Sequence, residues 1–247
     1  MITKKTFVIL FCFLFALTTG YTGTAIATDE KPATEPTGEA EWAAKAAKVV
    51  ETQMTEDFDK QIPSTLLQKS QCVAVFPSVL KAGFIVGAKR GDGLISCRHK
   101  ETSEWGAPAF FRITGVSWGL QIGAKSADVI LLVMNQKGID GILKSKVSLG
   151  GDIGVTAGPV GRDAAVGTDV LLKSSIISYA RSKGVFAGLN LEGSTITFND
   201  TANTKVYGKD VDARKILFDV KAIPDSVKVL HDTLKKYASK PETKEQK

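Results

Sequence analysis

Residues 106–187 constrain the fold most, because short apolar or alternating runs there are repeatedly broken by glycine. The stretch reads G-A-P-A-F-F-R-I-T-G-V-S-W-G-L-Q-I-G-A-K-S-A-D-V-I-L-L-V-M-N, then L-G-G-D-I-G-V-T-A-G-P-V-G-R-D, then S-S-I-I-S-Y-A-R-S-K-G-V-F-A. No long helix fits this spacing. Glycine inside a strand-like run marks a bulge, a bend or a close backbone approach. Several such runs in succession predict a compact, curved sheet. The fold class expected is β-rich α+β: a glycine-rich, barrel-like or strongly curved antiparallel sheet with an N-terminal amphipathic helix and a C-terminal helix.

The helices are read from spacing. Trp42, Ala46, Val49, Val50, Met54 and Phe58 recur at three- and four-residue steps, with Lys45, Lys48, Glu51, Glu56 and Asp57 off the stripe. Pro63 ends that helix and residues 64–67 form a short turn. Its polar face is mixed in charge, which argues for packing on the sheet over adsorption to lipid. Strands are expected at 72–76, 83–89 and 94–98, with Gly91-Asp92-Gly93 as a tight turn between the last two. Further strands are expected at 109–113, 116–124, 129–134, 153–157, 164–168, 176–180 and 185–191, with weaker ones at 194–199 and 205–207. A brief helix fits 135–144, and residues 211–218 fit either a strand or a short helix. Val227, Leu230, Leu234 and Tyr237 place a closing helix at 226–237.

The first thirty residues carry an address. Lys4 and Lys5 precede an apolar run at 7–17, and Ala25-Ile26-Ala27 offers a cleavage site. The run is too short to span a bilayer core of about 30 Å. The expected organisation is a signal peptide at 1–27, a flexible leader at 28–38, one domain at 39–238 and a polar tail at 239–247. Export to the periplasm or outside follows, with peripheral membrane association. Removing residues 1–27 takes two lysines from 32 basic residues and nothing from 26 acidic ones, leaving a net charge of +4. That is mild, and does not imply nucleic acid. An exported chain permits a disulfide between Cys72 and Cys97; two buried thiols are the alternative.

No catalytic constellation is marked. With two histidines, His99 and His231, a His-rich metal site is excluded, and Cys72, Cys97 and His99 lack zinc spacing. There is no G-x-S-x-G elbow, no phosphate-loop signature and no dinucleotide fingerprint. Neither a cofactor nor a metal is expected. Basic residues are scattered at 81, 89, 90, 98, 100, 112, 125, 181 and 183; several flank strand ends, where they either meet phosphate head groups or protect sheet edges.

Six stretches carry a family resemblance: V-A-V-F-P-S-V-L-K-A-G-F-I-V-G (73–87), G-D-G-L-I (91–95), W-G-A-P-A-F-F (105–111), G-L-Q-I-G-A-K-S-A-D-V-I-L-L-V-M (119–134), L-G-G-D-I-G-V-T-A-G-P-V-G (149–161) and I-S-Y-A-R-S-K-G-V-F-A-G-L-N-L-E-G (177–193). Together the chain resembles the SYLF, or Ysc84-like, domain in its bacterial exported form, over residues 40–238. The resemblance implies a glycine-rich β structure with accompanying helices. It also implies lipid binding without catalytic residues. Eukaryotic members bind phosphoinositide membranes and in some cases actin. An exported chain meets neither, so anionic envelope phospholipid is the expected partner, and no actin. Lys89, Arg90, Arg181 and Lys183 are the expected head-group contacts. The alternatives are a structural or protein-interaction domain of the envelope, and a hydrolase with an unmarked site.

Overall fold

The computed structural model describes residues 38–56, 61–83, 86–118, 123–160, 173–182, 185–188 and 191–239. The signal peptide, the leader, the strand expected at 164–168 and the tail from residue 240 lie outside them.

Helix α1 (Gly38–Thr55) buries Ala43, Ala46, Ala47, Val49, Val50 and Gln53, one stripe of a chain rich in good helix formers. Helix α2 (Ser64–Lys69) buries Leu66 and Leu67. The strands follow: β1 (Cys72–Gly83), β2 (Val86–Cys97), β3 (Ala109–Trp118) and β4 (Gly123–Val133). After α3 (Gln136–Ile142) come β5 (Lys146–Ser148), β6 (Val155–Ala157), β7 (Ile176–Ser182), β8 (Val185–Gly188) and β9 (Ser194–Phe198). Helix α4 (Asp200–Tyr207), a π-helical turn (Lys215–Asp219) and α5 (Asp225–Ala238) finish the fold.

The strands form one sheet in the order β5-β9-β3-β2-β1-β4-β7-β6, with β8 beside β7. Strands β1 to β4 make a Greek key, since β4 returns to lie next to β1 on the far side of the β1–β2 hairpin. The connection from β5 to β6 forces the curl. Laid flat, eight strands would put the outer two about 34 Å apart. The short link between β5 and β6 reaches only about 25 Å. Leu149 and Ile153 form a bridge within that link, with Gly150 at φ 88° turning the chain. The sheet is therefore an open, strongly curled half-barrel.

Its two faces hold two cores. Phe76, Ile95, Phe111, Ile113, Leu131, Val147, Ile153, Ile176 and Ile196 come from both flanks of the sheet and meet on the concave side. Val73, Val75, Leu94, Phe110, Ile130, Leu132 and Tyr179 occupy the convex side beneath α1, α2 and α5. Ile139 and Ile142 of α3, with Ile216 and Leu217 of the π turn, close the concave side at one end. Cys72 and Cys97 are register partners there, joined by a disulfide with S–S 2.03 Å.

Several local expectations are corrected. Gly91-Asp92-Gly93 is not a turn but the middle of β2. A Cβ on Gly93 would lie 2.2 Å from Val75 O and 2.6 Å from Phe76 Cδ1, so the glycines let a sharply curved β1 approach. Pro77 does not end its strand. It sits where β1 carries an extra residue against both neighbours, and the Ser78 N–H of that bulge donates to Asp128 Oδ1 at 2.9 Å. The strand expected at 116–124 is instead the end of β3 and the start of β4. Residues 205–207 are helical, because Asn199 caps α4 by accepting from the Ala202 N–H. Strand β6 runs parallel to β7, so the sheet is not wholly antiparallel.

Candidate functional site: the open end of the sheet

The end of the sheet opposite α3 carries no helix among the described residues. Its last concave layer is Val79, Ile113 and Ile196, with Gly91 between Val79 and Ile113. One step further out, the inward positions change character. Lys81 of β1 pairs in register with Lys89 of β2 on one side and with Lys125 of β4 on the other. The row continues through Gly115 of β3 to Ser194 of β9. Three lysines thus stand side by side on adjacent strands, whose backbones lie about 4.8 Å apart. Like charges directly opposite are destabilising. Among the described residues no carboxylate forms an ion pair with any of them. Burial, and then the neighbouring Lys81, push the Lys89 ammonium below its ordinary range. Concave curvature turns these side chains toward one another, which concentrates the positive potential at the mouth.

The convex side of the same end carries one apolar row and one mixed row, in which Leu80 stands between Arg90 and Ser126. Ala82, Ala88 and Val116 form one register row, and Leu80 and Arg90 pair in the next. Leu80 is 50% exposed and Val116 53%. Arg90, also exposed, stands among them.

Of the four expected head-group contacts, the three that are described do not form one cluster. Lys89 and Arg90 are consecutive in a strand and project to opposite faces. Arg181 Nη2 is 2.6 Å from Glu56 Oε1, and its register partner is Asp128, so it sits in an ion pair between β7 and the end of α1. Lys183 lies outside the described residues. The row instead adds Lys81 and Lys125, which sequence reasoning left among scattered cations. A signal existed: Lys81 and Lys89 lie symmetrically about the reversal that register places between Gly83 and Gly87.

A family model described as "Las17-binding protein actin regulator", Ysc84, matches residues 114–237. The chain belongs to the Ysc84 family. Ysc84 relatives include SH3 domain-containing YSC84-like protein 1 of Rattus norvegicus, 32% identical over 210 residues covering 83% of this chain and 61% of the relative. The Xenopus laevis protein of that name is 33% identical over 208 residues, covering 82% and 62%. Protein YSC84 of Saccharomyces cerevisiae is 33% identical over 180 residues, covering 70% and 38%. This chain therefore spans less than two thirds of the length of these relatives. None of the three names describes an enzyme.

The Ysc84 match begins inside β3 and ends inside α5, so it takes in Gly115, Lys125 and Ser194 of the row. It also reaches a groove of about 1080 Å³ at the closed end, between the loop from Arg98 to Trp105 and the stretch from Arg214 to Ile223. The walls of that groove mix Lys100, Arg214, Lys221 and Lys235 with Glu101 and Glu104. Its buried Arg98 is occupied by the carbonyls of Ser70, Ser103 and Ala238. The open end, with one sign of charge on its concave row, is the better functional candidate. Among the described residues no group of three or more His, Cys, Asp or Glu could hold a metal, and no helix is long and apolar enough to cross a membrane.

Proposed function

We propose that this chain is a non-enzymatic binder of anionic membrane surfaces in the bacterial envelope, docking by the open end of its sheet. The reading rests on one observation, the row Lys89–Lys81–Lys125 without carboxylate partners among the described residues. Such a row costs stability in water and recovers it against phosphate. Each basic residue near an anionic surface contributes about 1 kcal/mol. Three make a difference of about 150-fold in affinity. Arg90 and Lys183 remain candidate contacts. Arg181 is assigned to holding α1 against β7. Anionic phospholipid is the ligand available to an exported chain, rather than actin.

One observation favours a second reading, docking to a protein: the family's description is of a Las17-binding actin regulator. Co-flotation with liposomes separates the two. Every described element lies between Gly38 and Ser239, so protein lacking residues 1–27 keeps the fold. Flotation with phosphatidylglycerol vesicles but not neutral ones, weakened by salt and lost in Lys81→Glu/Lys125→Glu, is expected. Absence of flotation with every lipid would overturn the membrane reading and leave the protein partner.

A further inference from the structure

The lysine row explains attraction to a charged surface but leaves the other face of the same strands unaccounted for. On that face Leu80 and Val116 are exposed by half their area. The third large apolar side chain so exposed among the described residues, Val229, is on α5. Ala88 lies between Ala82 and Val116 in register, so the row is apolar across three strands. Residues 81 and 89 of the concave row are chain neighbours of 80, 82, 88 and 90 on the convex row. Charge and apolar surface therefore stand at the same height on opposite faces of one sheet end. An amphipathic edge of this kind matches the boundary between head groups and acyl chains, where cations stay with phosphate and apolar side chains pass below it.

We propose that the open end inserts into an anionic monolayer with its convex face toward the acyl chains, placing Leu80, Ala82, Ala88 and Val116 below the phosphates. Lys81, Lys89 and Lys125 then hold phosphates from the concave side and Arg90 holds them from the convex side. This inference rests on the membrane reading above and adds its orientation and depth. A second copy of the chain is the competing occupant of the apolar face. The lysine row favours lipid, since a like copy would bring the same uncompensated charges.

The test places an environment-sensitive nitrobenzoxadiazole probe on cysteines introduced singly at Ala88, Val116 and Lys125, all near the open end, with the native disulfide buried and unreactive. Phosphatidylglycerol vesicles are expected to shift the emission of the Ala88→Cys and Val116→Cys probes to the blue, with much less change at Lys125→Cys. A quencher in the acyl region should reach only the first two. Leu80→Ser/Val116→Ser, both at exposed positions, is expected to weaken binding about tenfold or more. It should also remove whatever flotation persists in high salt. Flotation with all three probes unshifted would overturn insertion while leaving surface binding intact. No flotation at all would instead overturn the membrane reading itself. Blue-shifted probes without lipid, together with a dimer by light scattering, would assign the face to a second copy and overturn the proposal.

Discussion

Arg98 tests how the fold is tied together. It is 3% exposed, and no acid pairs with it among the described residues. Its Nε donates to Ser70 O at 3.1 Å, its Nη1 to Ser103 O at 3.0 Å and its Nη2 to Ala238 O. Its guanidinium carbon lies 4.0 Å from the centre of the Trp105 ring. The three carbonyls belong to the end of α2, the loop after β2 and the end of α5, so one side chain joins three segments. Burial pulls the guanidinium down to about 10, which leaves it charged at neutral pH. A hydrogen bond from a charged donor contributes about 1.5 kcal/mol at the low end, and the stacked ring about 1. Water can serve part of what a deletion exposes, since Ser239 and Glu104 are exposed beside two of the carbonyls. Arg98→Met should therefore cost about 4 kcal/mol, and Arg98→Lys, which reaches one carbonyl, about half of that. At about 2–4 °C per kcal/mol for a domain of this size, the first lowers Tm by about 8–16 °C. Urea unfolding measures both, and the m-value should not change. A loss below about 1 kcal/mol for Arg98→Met would refute the reasoning, because water would then be serving all three carbonyls.

Gly93→Ala should cost about 3 kcal/mol, because two of the three atoms a Cβ would meet, Val75 O at 2.2 Å and Phe76 Cα at 2.8 Å, are backbone. Gly154→Ala, with nothing within 4 Å, should stay near neutral in the same denaturation series. Replacing Cys72 and Cys97 by alanine should cost about 3.5 kcal/mol by loop-closure entropy for their separation of 25 residues, read as a shift of the urea midpoint. Lys89 carries a folded pKa lowered by burial and by Lys81, so below it the native state pays for a charge that the unfolded chain holds freely. The native state therefore gains stability as pH rises from that value to the unfolded pKa of about 10.5. Lys89→Met lacks this gain, so its stability advantage over the parent should shrink across that window, as unfolding at stepped pH would show.

The fold class was legible in the sequence because glycine spacing and helical stripes both report burial. Trp42 to Met54, and Val227 to Tyr237, marked α1 and α5 to within a few residues. Strand boundaries were less legible. A glycine pair in β2 has the composition of a turn, and only the nearness of Val75 and Phe76 shows that it serves curvature. Strand β5 was missed, since three residues with one buried valine carry no period. The lysine row was hidden for the same reason as the strand boundaries. With the reversal placed at 91–93, Lys81 and Lys89 could not face each other, so cations were grouped by sequence and not by register.

The packing of α1 against α5 also sets an order of events during synthesis. Ala43, Ala46, Ala47, Val49 and Val50 are made early, but part of their cover, Val227, Leu230 and Leu234, emerges almost two hundred residues later. Arg98 likewise waits for the carbonyl of Ala238. At roughly 5–20 residues per second, the early helix stays uncovered for about ten seconds or more. The convex core therefore cannot be completed before α5 has been made. The chain stays open to helpers that hold unfinished chains, and to any machinery that must receive it before it closes.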